Sequence, residues 1–130
     1  MTDTLISVVD DDESIRDSTR TLLRSAGYQV ATFESGELFL ESDAVSETEC
    51  LILDMRMPGM DGLELQRRLQ TSEVGVPIIF VTAHEDKKNR QTALAAGAFD
   101  FFQKPFPASD FLAAIQTALR RPAPVKGPEV

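Results

Sequence analysis

Each of four apolar runs in this chain ends in polar side chains that could do chemistry together. An acid pair follows the first run, a lone acid the second, a hydroxyl the third and an ammonium group the fourth: Asp10-Asp11, Asp54, Thr82 and Lys104. The carboxyl ends of parallel strands open on one crevice, which is where ligands bind in open α/β sheets. If the runs are parallel strands, these side chains form a site for a divalent metal and a phosphoryl group.

Oxygen ligands suit Mg²⁺, a hard ion that usually binds about one or two protein carboxylates together with waters and a phosphate oxygen. Asp10, Asp11 and Asp54 have this chemistry, and because clustered carboxylates repel one another, a divalent cation would relieve their repulsion. Asp54 is best placed to attack a phosphoryl donor. Thr82 can donate a hydrogen bond to a phosphoryl oxygen, and Lys104 supplies a compact positive charge.

Strand-like and helix-like patterns alternate along nearly the whole chain, which predicts a parallel sheet covered by helices. Strands are predicted at Leu5–Val9 and Gln29–Phe33, from Cys50, from Pro77, and at 99–103. Helices are predicted at 14–26, 35–42, 62–70, 85–96 and 109–120, the first ended by Gly27 and the last N-capped by Ser109. Five strands and five helices result.

Composition and charge limit the classes of protein to which the chain can belong. With 130 residues, 42% hydrophobic and 26% charged, one globular domain is expected. The net charge of −8 would repel a phosphate backbone, so this segment by itself is not expected to bind nucleic acid. No apolar stretch approaches the ~20 residues of a membrane span, and a cytoplasmic protein without membrane contact is expected. The single cysteine, Cys50, opens an apolar strand, which favours a buried structural thiol.

The composition changes after Arg121. Residues 122–130 contain three prolines and show no apolar periodicity. A domain at 1–121 followed by a flexible linker or tail at 122–130 is therefore predicted. A tail of this kind is expected between a regulatory domain and an output domain that is absent from this chain, and a natural flexible terminus is the alternative.

The strand-end residues also have simpler interpretations. Acids before a helix can cap its N-terminus and complement its dipole, and we assign Asp12 and Glu13 to this role. The stretch after Asp54 is also a turn, and threonines and lysines are common at strand ends. Their coincidence at the ends of four strands favours the functional interpretation. His84, the only histidine, lies in the loop after Thr82 and is expected to be an exposed loop residue rather than a metal ligand.

Four segments closely resemble the receiver domain of two-component response regulators. They are Val9-Asp10-Asp11, the stretch from Leu53-Asp54 to Asp61-Gly62, Val81-Thr82-Ala83 and Lys104-Pro105-Phe106. The resemblance covers about residues 4–120 and is greatest to receivers of the FixJ and NarL type, which usually precede a helix-turn-helix DNA-binding domain. It implies a flavodoxin-like (CheY-like) fold, that is, a doubly wound five-stranded parallel sheet of order 2-1-3-4-5 with five helices.

The resemblance implies that Asp54 accepts a phosphoryl group from a phosphohistidine on a sensor histidine kinase. It also implies that Asp11, the side chain of Asp54 and the backbone carbonyl of Arg56 bind Mg²⁺ or Mn²⁺ directly, with Asp10 acting mainly through water. Arg56 and His84 flank the site, where their side chains could obstruct or orient an attacking water. Both are predicted to tune the lifetime of the phosphoryl group without being essential.

By the same resemblance, Thr82 and Lys104 hold the phosphoryl oxygens, Ala83 is small enough to leave room for them, and Lys104-Pro105 is a cis peptide. Phe101 stands where the family often has tyrosine, so it keeps the aromatic ring and loses the hydroxyl. The family's switch implies that Thr82 moves toward the phosphoryl group and that Phe101 fills the vacated space. The alternative is that Phe101 is permanently part of the core.

In the family, this switch remodels the face formed by the helix at 85–96, the strand at 99–103 and the last helix. One half of that face is basic and the other acidic, with Lys87, Lys88 and Arg90 against Asp100 and Asp110. Two-fold pairing would place each positive patch on the partner's negative patch, so a phosphorylation-dependent homodimer is predicted. Contact with DNA is expected only through an output domain.

Two rival classes compete with a receiver. A haloacid-dehalogenase-like phosphohydrolase also uses a strand-end aspartate, and Asp10-x-Asp12 faintly matches its signature. However, Ser14 replaces the usual threonine, there is no room for a cap domain, and Asp54 would lack a role. A degenerate receiver that serves only for docking is expected to lack some of the five site residues, and all five are present. The chain is therefore expected to catalyse its own phosphorylation and dephosphorylation, not to be a turnover enzyme.

Overall fold

The computed structural model of the protein describes residues 3–83 and 87–120. Its strands are β1 (Leu5–Val9), β2 (Gln29–Phe33), β3 (Cys50–Asp54), β4 (Ile78–Thr82) and β5 (Asp100–Gln103). Its helices are α1 (Glu13–Ser25), α2 (Gly36–Glu41), α3 (Ala44–Glu47), α4 (Gly62–Thr71), α5 (Lys87–Ala95) and α6 (Ala108–Arg120). The strands form one parallel sheet in the order β2-β1-β3-β4-β5, which confirms the predicted doubly wound α/β fold.

The sheet is covered on both faces because its central strands are apolar at nearly every position. Alternate residues of a strand point to opposite faces. In β3, Leu51 and Leu53 therefore join one core cluster, with α2, α4 and α5, while Cys50 and Ile52 join the other, with α1 and α6. Cys50 is completely buried, and burial raises the pKa of its thiol to about 12. The prediction of a buried cysteine is confirmed.

One helix was not expected from the sequence. The polar stretch 43–49, predicted to be a simple connection, contains the short helix α3, so the described residues form six helices. The backbone N–H and the hydroxyl of Thr48 both donate to the carbonyl of Ala44, at 2.8 and 2.7 Å. The Thr48 hydroxyl also lies 2.6 Å from that of buried Ser7. A helix of this length has too few residues to display an apolar period, so the pattern could not predict it.

The N-cap predicted for the last helix is wrong. Helix α6 begins at Ala108, which places Ser109 inside its first turn. The carbonyl of Pro107 accepts hydrogen bonds from the backbone N–H groups of Asp110 and Phe111, at 3.1 and 3.3 Å. The ring of Phe106 lies 5.3 Å from the ring of Phe111 and packs across this helix start. Pro107 therefore precedes the helix and its carbonyl accepts the first hydrogen bonds, in the place predicted for Ser109.

Aspartate side chains form the N-caps of helices α1 and α4, which follow the loops after β1 and β3. Oδ1 of Asp12 accepts from the N–H of Ile15 at 3.2 Å, and Oδ1 of Asp61 accepts from the N–H of Glu64 at 2.9 Å. The assignment of Asp12 as the N-cap of α1 is confirmed, with Glu13 in the first helical turn. Because each cap satisfies a backbone donor that has no partner within the helix, it stabilises the junction between strand-end loop and helix.

Helix α5 is attached mainly through its C-terminal half. Ala93 is its buried residue, and the carbonyl of Ala93 accepts a hydrogen bond from Nε2 of buried Gln66, on α4, at 3.0 Å. One turn further along α4, Gln70 donates to the carbonyl of Ala96. The first turn of α5 is exposed at Lys87 and carries no acidic residue. The end of α5 that adjoins the site is therefore its less buried end.

Several sequence-based predictions fall outside the described residues. These are the proposed linker at 122–130 and the loop residue His84. Within residues 3–83 and 87–120, no helix has both the length and the apolar character needed to cross a membrane.

Candidate functional site

The acid pair lies where β1 ends. The backbone N–H of Asp10 donates to the carbonyl of Phe33 at 3.0 Å, which ties the end of β1 to the end of β2. Asp10 is 2% exposed, and its Oδ1 accepts from the backbone N–H of Asp12 at 2.9 Å. Asp11, the next residue, is exposed. The two carboxylates therefore differ in environment, one held in the protein and one open to solvent.

Asp54 is the last residue of β3, the strand that pairs with β1. Its side chain is partly buried, and Oδ1 accepts a long hydrogen bond of 3.4 Å from the backbone N–H of Arg56. One carboxylate oxygen from each of Asp10, Asp11 and Asp54 lies within 4.8 Å of the other two. The structure thus brings together the three acids that the sequence analysis selected.

Electrostatics at this cluster disfavours three ionised acids. Burial raises the pKa of Asp54 to about 7, and the neighbouring carboxylate of Asp10 adds to the rise. Burial also raises the pKa of Asp10. The positive charge of Lys104 acts in the opposite direction on both groups and does not offset the burial. A cation among the three carboxylates would supply the missing positive charge.

One oxygen of Asp10 lacks a hydrogen bond. Within the described part of the chain, Oδ2 of Asp10 is buried and has no hydrogen-bond partner. Nζ of Lys104 lies 3.7 Å away, which is beyond hydrogen-bonding distance. A buried carboxylate oxygen without a hydrogen-bond donor raises the free energy of the folded state, and a bound cation or its water would satisfy that oxygen. Together with the oxygen-only donor set, this unsatisfied atom means that the residues present fit a hard divalent cation such as Mg²⁺.

Thr82 and Lys104 join the cluster from the neighbouring strands. Thr82 ends β4 and is fully buried, and the register pairs Asp54 with Val81, one residue before it. The backbone N–H of Lys104 donates to the carbonyl of Thr82 at 2.8 Å. The peptide bond between Lys104 and Pro105 is cis, as the resemblance implied. The hydroxyl and the ammonium group therefore lie at the same edge of the sheet as the acids.

Phe101 lies beneath this edge, in the core. It pairs with Phe80 in the sheet register, and the two ring centroids are 6.1 Å apart. The Phe101 side chain is buried, with 8% of the residue exposed. This is the inward position that the resemblance associates with the phosphorylated state, and it also matches the alternative of a permanent core residue.

Gly62, the first residue of α4, belongs to the site's backbone, although from the sequence it was predicted only as a turn residue and a helix start. A Cβ on Gly62 would lie 2.5 Å from the backbone oxygen of Asp54, 2.8 Å from Cε1 of Phe80 and 3.0 Å from Cα of Met55. The N–H of Gly62 donates to the carbonyl of Met55 at 3.0 Å. Only glycine allows α4 to start this close to the strand that carries Asp54. The signal in the sequence was the Asp61-Gly62 pair at the predicted helix start.

Of the two residues predicted to tune the phosphoryl lifetime, Arg56 lies among the described residues and His84 does not. Arg56 is exposed and lies two residues past Asp54. Its backbone N–H donates the long hydrogen bond to the Asp54 carboxylate. His84 lies outside the described residues.

Known proteins with similar sequences match most of this chain, including the residues of the site. The family model for the response regulator receiver domain matches residues 6–116. The response regulator protein TmoT of Ectopseudomonas mendocina is 43% identical over 118 residues, which cover 91% of this chain and 54% of TmoT. The transcriptional regulatory protein FixJ of Bradyrhizobium diazoefficiens is 39% identical over 119 residues, covering 92% of this chain and 58% of FixJ. The chain thus spans about half the length of the curated relatives it matches.

Solved structures agree with the sequence relatives. The response regulator StyR superposes with a TM-score of 0.84 at 46% identity, over 92% of this chain and 60% of StyR. The FixJ-N structure also has a TM-score of 0.84, at 34% identity, over 96% of this chain and the whole of FixJ-N. The family model, the relatives and the fold together show that the chain belongs to the response regulator receiver domain family, whose members are the phosphoacceptor domains of two-component signalling.

Proposed function

We propose that Asp54 is the phosphoacceptor of this receiver and that its donor is a phosphohistidine on a sensor histidine kinase. A carboxylate oxygen of Asp54 forms the new bond to phosphorus while the bond from phosphorus to the imidazole nitrogen breaks. The nitrogen keeps the electron pair, and the product is an acyl phosphate on Asp54. The observation that carries the proposal is the gathering of the Asp10, Asp11 and Asp54 oxygens within 4.8 Å beside the ammonium group of Lys104.

The neighbouring residues have separate roles in this proposal. Asp11, Asp54 and the backbone carbonyl of Arg56 hold Mg²⁺, or Mn²⁺ in its place, and Asp10 contributes mainly through water. When bound, the metal neutralises negative charge that develops on the transferred group. Lys104 and the hydroxyl of Thr82 hold the phosphoryl oxygens. Lys104 needs only to leave its position 3.7 Å from Asp10 to reach an incoming anion.

The role is that of a signalling switch rather than a turnover enzyme. Asp12, which a phosphohydrolase of the dehalogenase type would need as its second acid, instead caps helix α1 through its side chain. We place the chain in the cytoplasm, where ATP supports the kinase that forms the donor. Residues 1–121 form the receiver in this proposal, and 122–130 link it to an output domain that binds DNA.

Intact-mass analysis of the protein incubated with acetyl phosphate and MgCl₂ tests the phosphoacceptor directly. We expect one added phosphoryl group, located at Asp54 by peptide mapping, and no addition in Asp54→Asn, which keeps the shape of the side chain. Addition that persists in Asp54→Asn, or that maps to Asp10, would contradict the proposal and would favour the phosphohydrolase.

The output that we propose is dimerisation through the face formed by α5, β5 and α6. A phosphoryl group adds about −1.5 to −2 charge beside Thr82, which draws Thr82 toward it. Phosphorylation then favours the buried position of Phe101 against Phe80 over a more exposed one. Helix α5 is held at its C-terminal half by the hydrogen bond from Gln66 to the carbonyl of Ala93, and in this proposal its N-terminal end moves toward the site.

Sedimentation velocity at low and high salt measures this output. We expect a mostly monomeric unphosphorylated protein and a dimer after activation with beryllofluoride. The dimer should weaken as salt rises, because exposed Lys87, Lys88 and Arg90 pair with the partner's acidic half, Asp100 and Asp110. An unchanged sedimentation coefficient on activation would mean that the signal passes to another domain instead.

The lifetime of the acyl phosphate is the third measurable consequence. Arg56 and His84 follow Asp54 and Thr82 by two residues in the sequence, and in this proposal both affect the attack of water on the acyl phosphate. Alanine at either position should change the rate of dephosphorylation while leaving phosphorylation possible. Loss of the phosphorylated species, followed by mass analysis after removal of acetyl phosphate, gives this rate. Wild-type dephosphorylation rates in both variants would show that Arg56 and His84 do not affect the lifetime of the acyl phosphate.

A further inference from the structure

Arg16 reaches back from helix α1 to the loop that carries the acid pair. Its Nη1 donates to the backbone carbonyl of Asp10 at 2.8 Å, and the side chain is partly buried. That carbonyl belongs to the peptide unit between Asp10 and Asp11. Because a peptide unit is planar, holding its oxygen fixes the plane from which the side chain of Asp11 departs.

The rest of the loop is restrained on both sides of this peptide. The N–H of Asp10 is held by the carbonyl of Phe33 at 3.0 Å, and Oδ1 of Asp10 is held by the N–H of Asp12 at 2.9 Å. The N–H of Arg16 donates to the carbonyl of Asp12 at 3.0 Å, which closes the first turn of α1. The guanidinium of Arg16 therefore completes one hydrogen-bonded unit made of the end of β1, the loop and the first turn of α1.

Asp11 depends on this unit for its orientation. It is exposed, and among residues 3–83 and 87–120 its carboxylate has no hydrogen bond that would aim it. Its oxygen nevertheless lies within 4.8 Å of those of Asp10 and Asp54. The backbone sets the direction of the Cα–Cβ bond of Asp11, and Arg16 holds that backbone with a charge-assisted hydrogen bond from a rigid planar group.

We propose that Arg16 is a positioning residue for metal-dependent phosphorylation, because it holds the peptide between Asp10 and Asp11 so that Asp11 faces the metal site. The inference rests on the proposed function, in which Asp11 is a metal ligand. Arg16 acts through the geometry of this peptide, since it donates to a main-chain oxygen and not to a carboxylate. Groups that orient metal ligands typically change metal affinity or activity by about 10–100-fold when they are removed.

The test compares Arg16→Ala with Arg16→Lys and with Arg20→Ala. Arg20 is the matched control because it lies one turn further along α1 and makes an exposed ion pair with Asp17 at 2.7 Å. Calorimetric titration with MgCl₂ measures metal affinity without any phosphoryl donor, and acetyl phosphate measures phosphorylation without kinase docking. We expect Mg²⁺ affinity to fall about tenfold in Arg16→Ala, to recover in part in Arg16→Lys, and to stay at the wild-type value in Arg20→Ala.

Three outcomes would overturn the proposal. They are wild-type Mg²⁺ affinity in Arg16→Ala, an equal loss in Arg20→Ala, and a loss in Arg16→Ala that Arg16→Lys does not recover at all. Thermal unfolding of each variant shows whether any loss follows global destabilisation, in which case the role of Arg16 is structural only. A wild-type protein that binds Mg²⁺ but accepts no phosphoryl group would refute the proposed function, while the calorimetric comparison would still decide the role of Arg16.

Discussion

Replacing Asp11 by alanine is expected to abolish Mg²⁺-dependent phosphorylation by acetyl phosphate. The substitution removes one of three carboxylates whose oxygens lie within 4.8 Å of one another, and the one most open to solvent. Mg²⁺ is usually held by about one or two protein carboxylates, so each direct ligand carries a large share of the binding. We therefore expect that the remaining acids do not replace Asp11. We expect the initial rate of phosphorylation, followed by intact mass, to fall by at least about two orders of magnitude.

Asp12→Ala provides the matched control for this loss. It removes the adjacent carboxylate, which caps α1 by accepting from Ile15 at 3.2 Å, and it keeps the backbone N–H that holds Asp10. Loss of an N-cap costs about 1 kcal/mol of stability and should leave the rate of phosphorylation near the wild-type value. Unchanged Mg²⁺ affinity of Asp11→Ala in calorimetry would contradict the assignment of Asp11 as a ligand.

The second large effect is expected at Gly62. A methyl group there would lie 2.5 Å from the backbone oxygen of Asp54 and 2.8 Å from the buried ring of Phe80. Neither is the end of a flexible side chain, so the start of α4 or the end of β3 must move. Overpacking of this kind costs about 1–3 kcal/mol. Gly62→Ala should lower the free energy of unfolding in urea by about that amount and should also slow phosphorylation, because the displaced oxygen belongs to Asp54 itself.

Gly27→Ala separates a local effect from general destabilisation. Gly27 has φ +96, and a Cβ at this position would have no atom within 4 Å, so alanine there introduces backbone strain of about 1–2 kcal/mol without a clash. It should lower stability and leave the rate of phosphorylation unchanged. If Gly62→Ala phosphorylated at the wild-type rate, the contact with Asp54 would have no bearing on the site.

The sequence was sufficient for the strands, their parallel arrangement and the residues at their ends. Apolar runs, helix periods and stop signals are local properties, and the ends of parallel strands must meet at one edge. Asp10, Asp11, Asp54 and Lys104 were therefore identifiable before any contact was known. The same local chemistry identified Asp12 as a helix cap, a role that separates this site from a phosphohydrolase.

Tertiary structure alone decided how these residues are held. The unsatisfied Oδ2 of Asp10 facing Lys104, the approach of Gly62 to the Asp54 backbone and the hydrogen bond from Arg16 to the Asp10 carbonyl each join segments that local patterns treat separately. The start of α6 at Ala108, with its first hydrogen bonds to the carbonyl of Pro107, likewise differs from the start that the preference of Ser109 for a cap predicts. Such features depend on how closely packed elements approach one another, and a difference of a few tenths of an ångström changes their energy. Residue order specifies the chemistry of this site, and packing specifies its geometry.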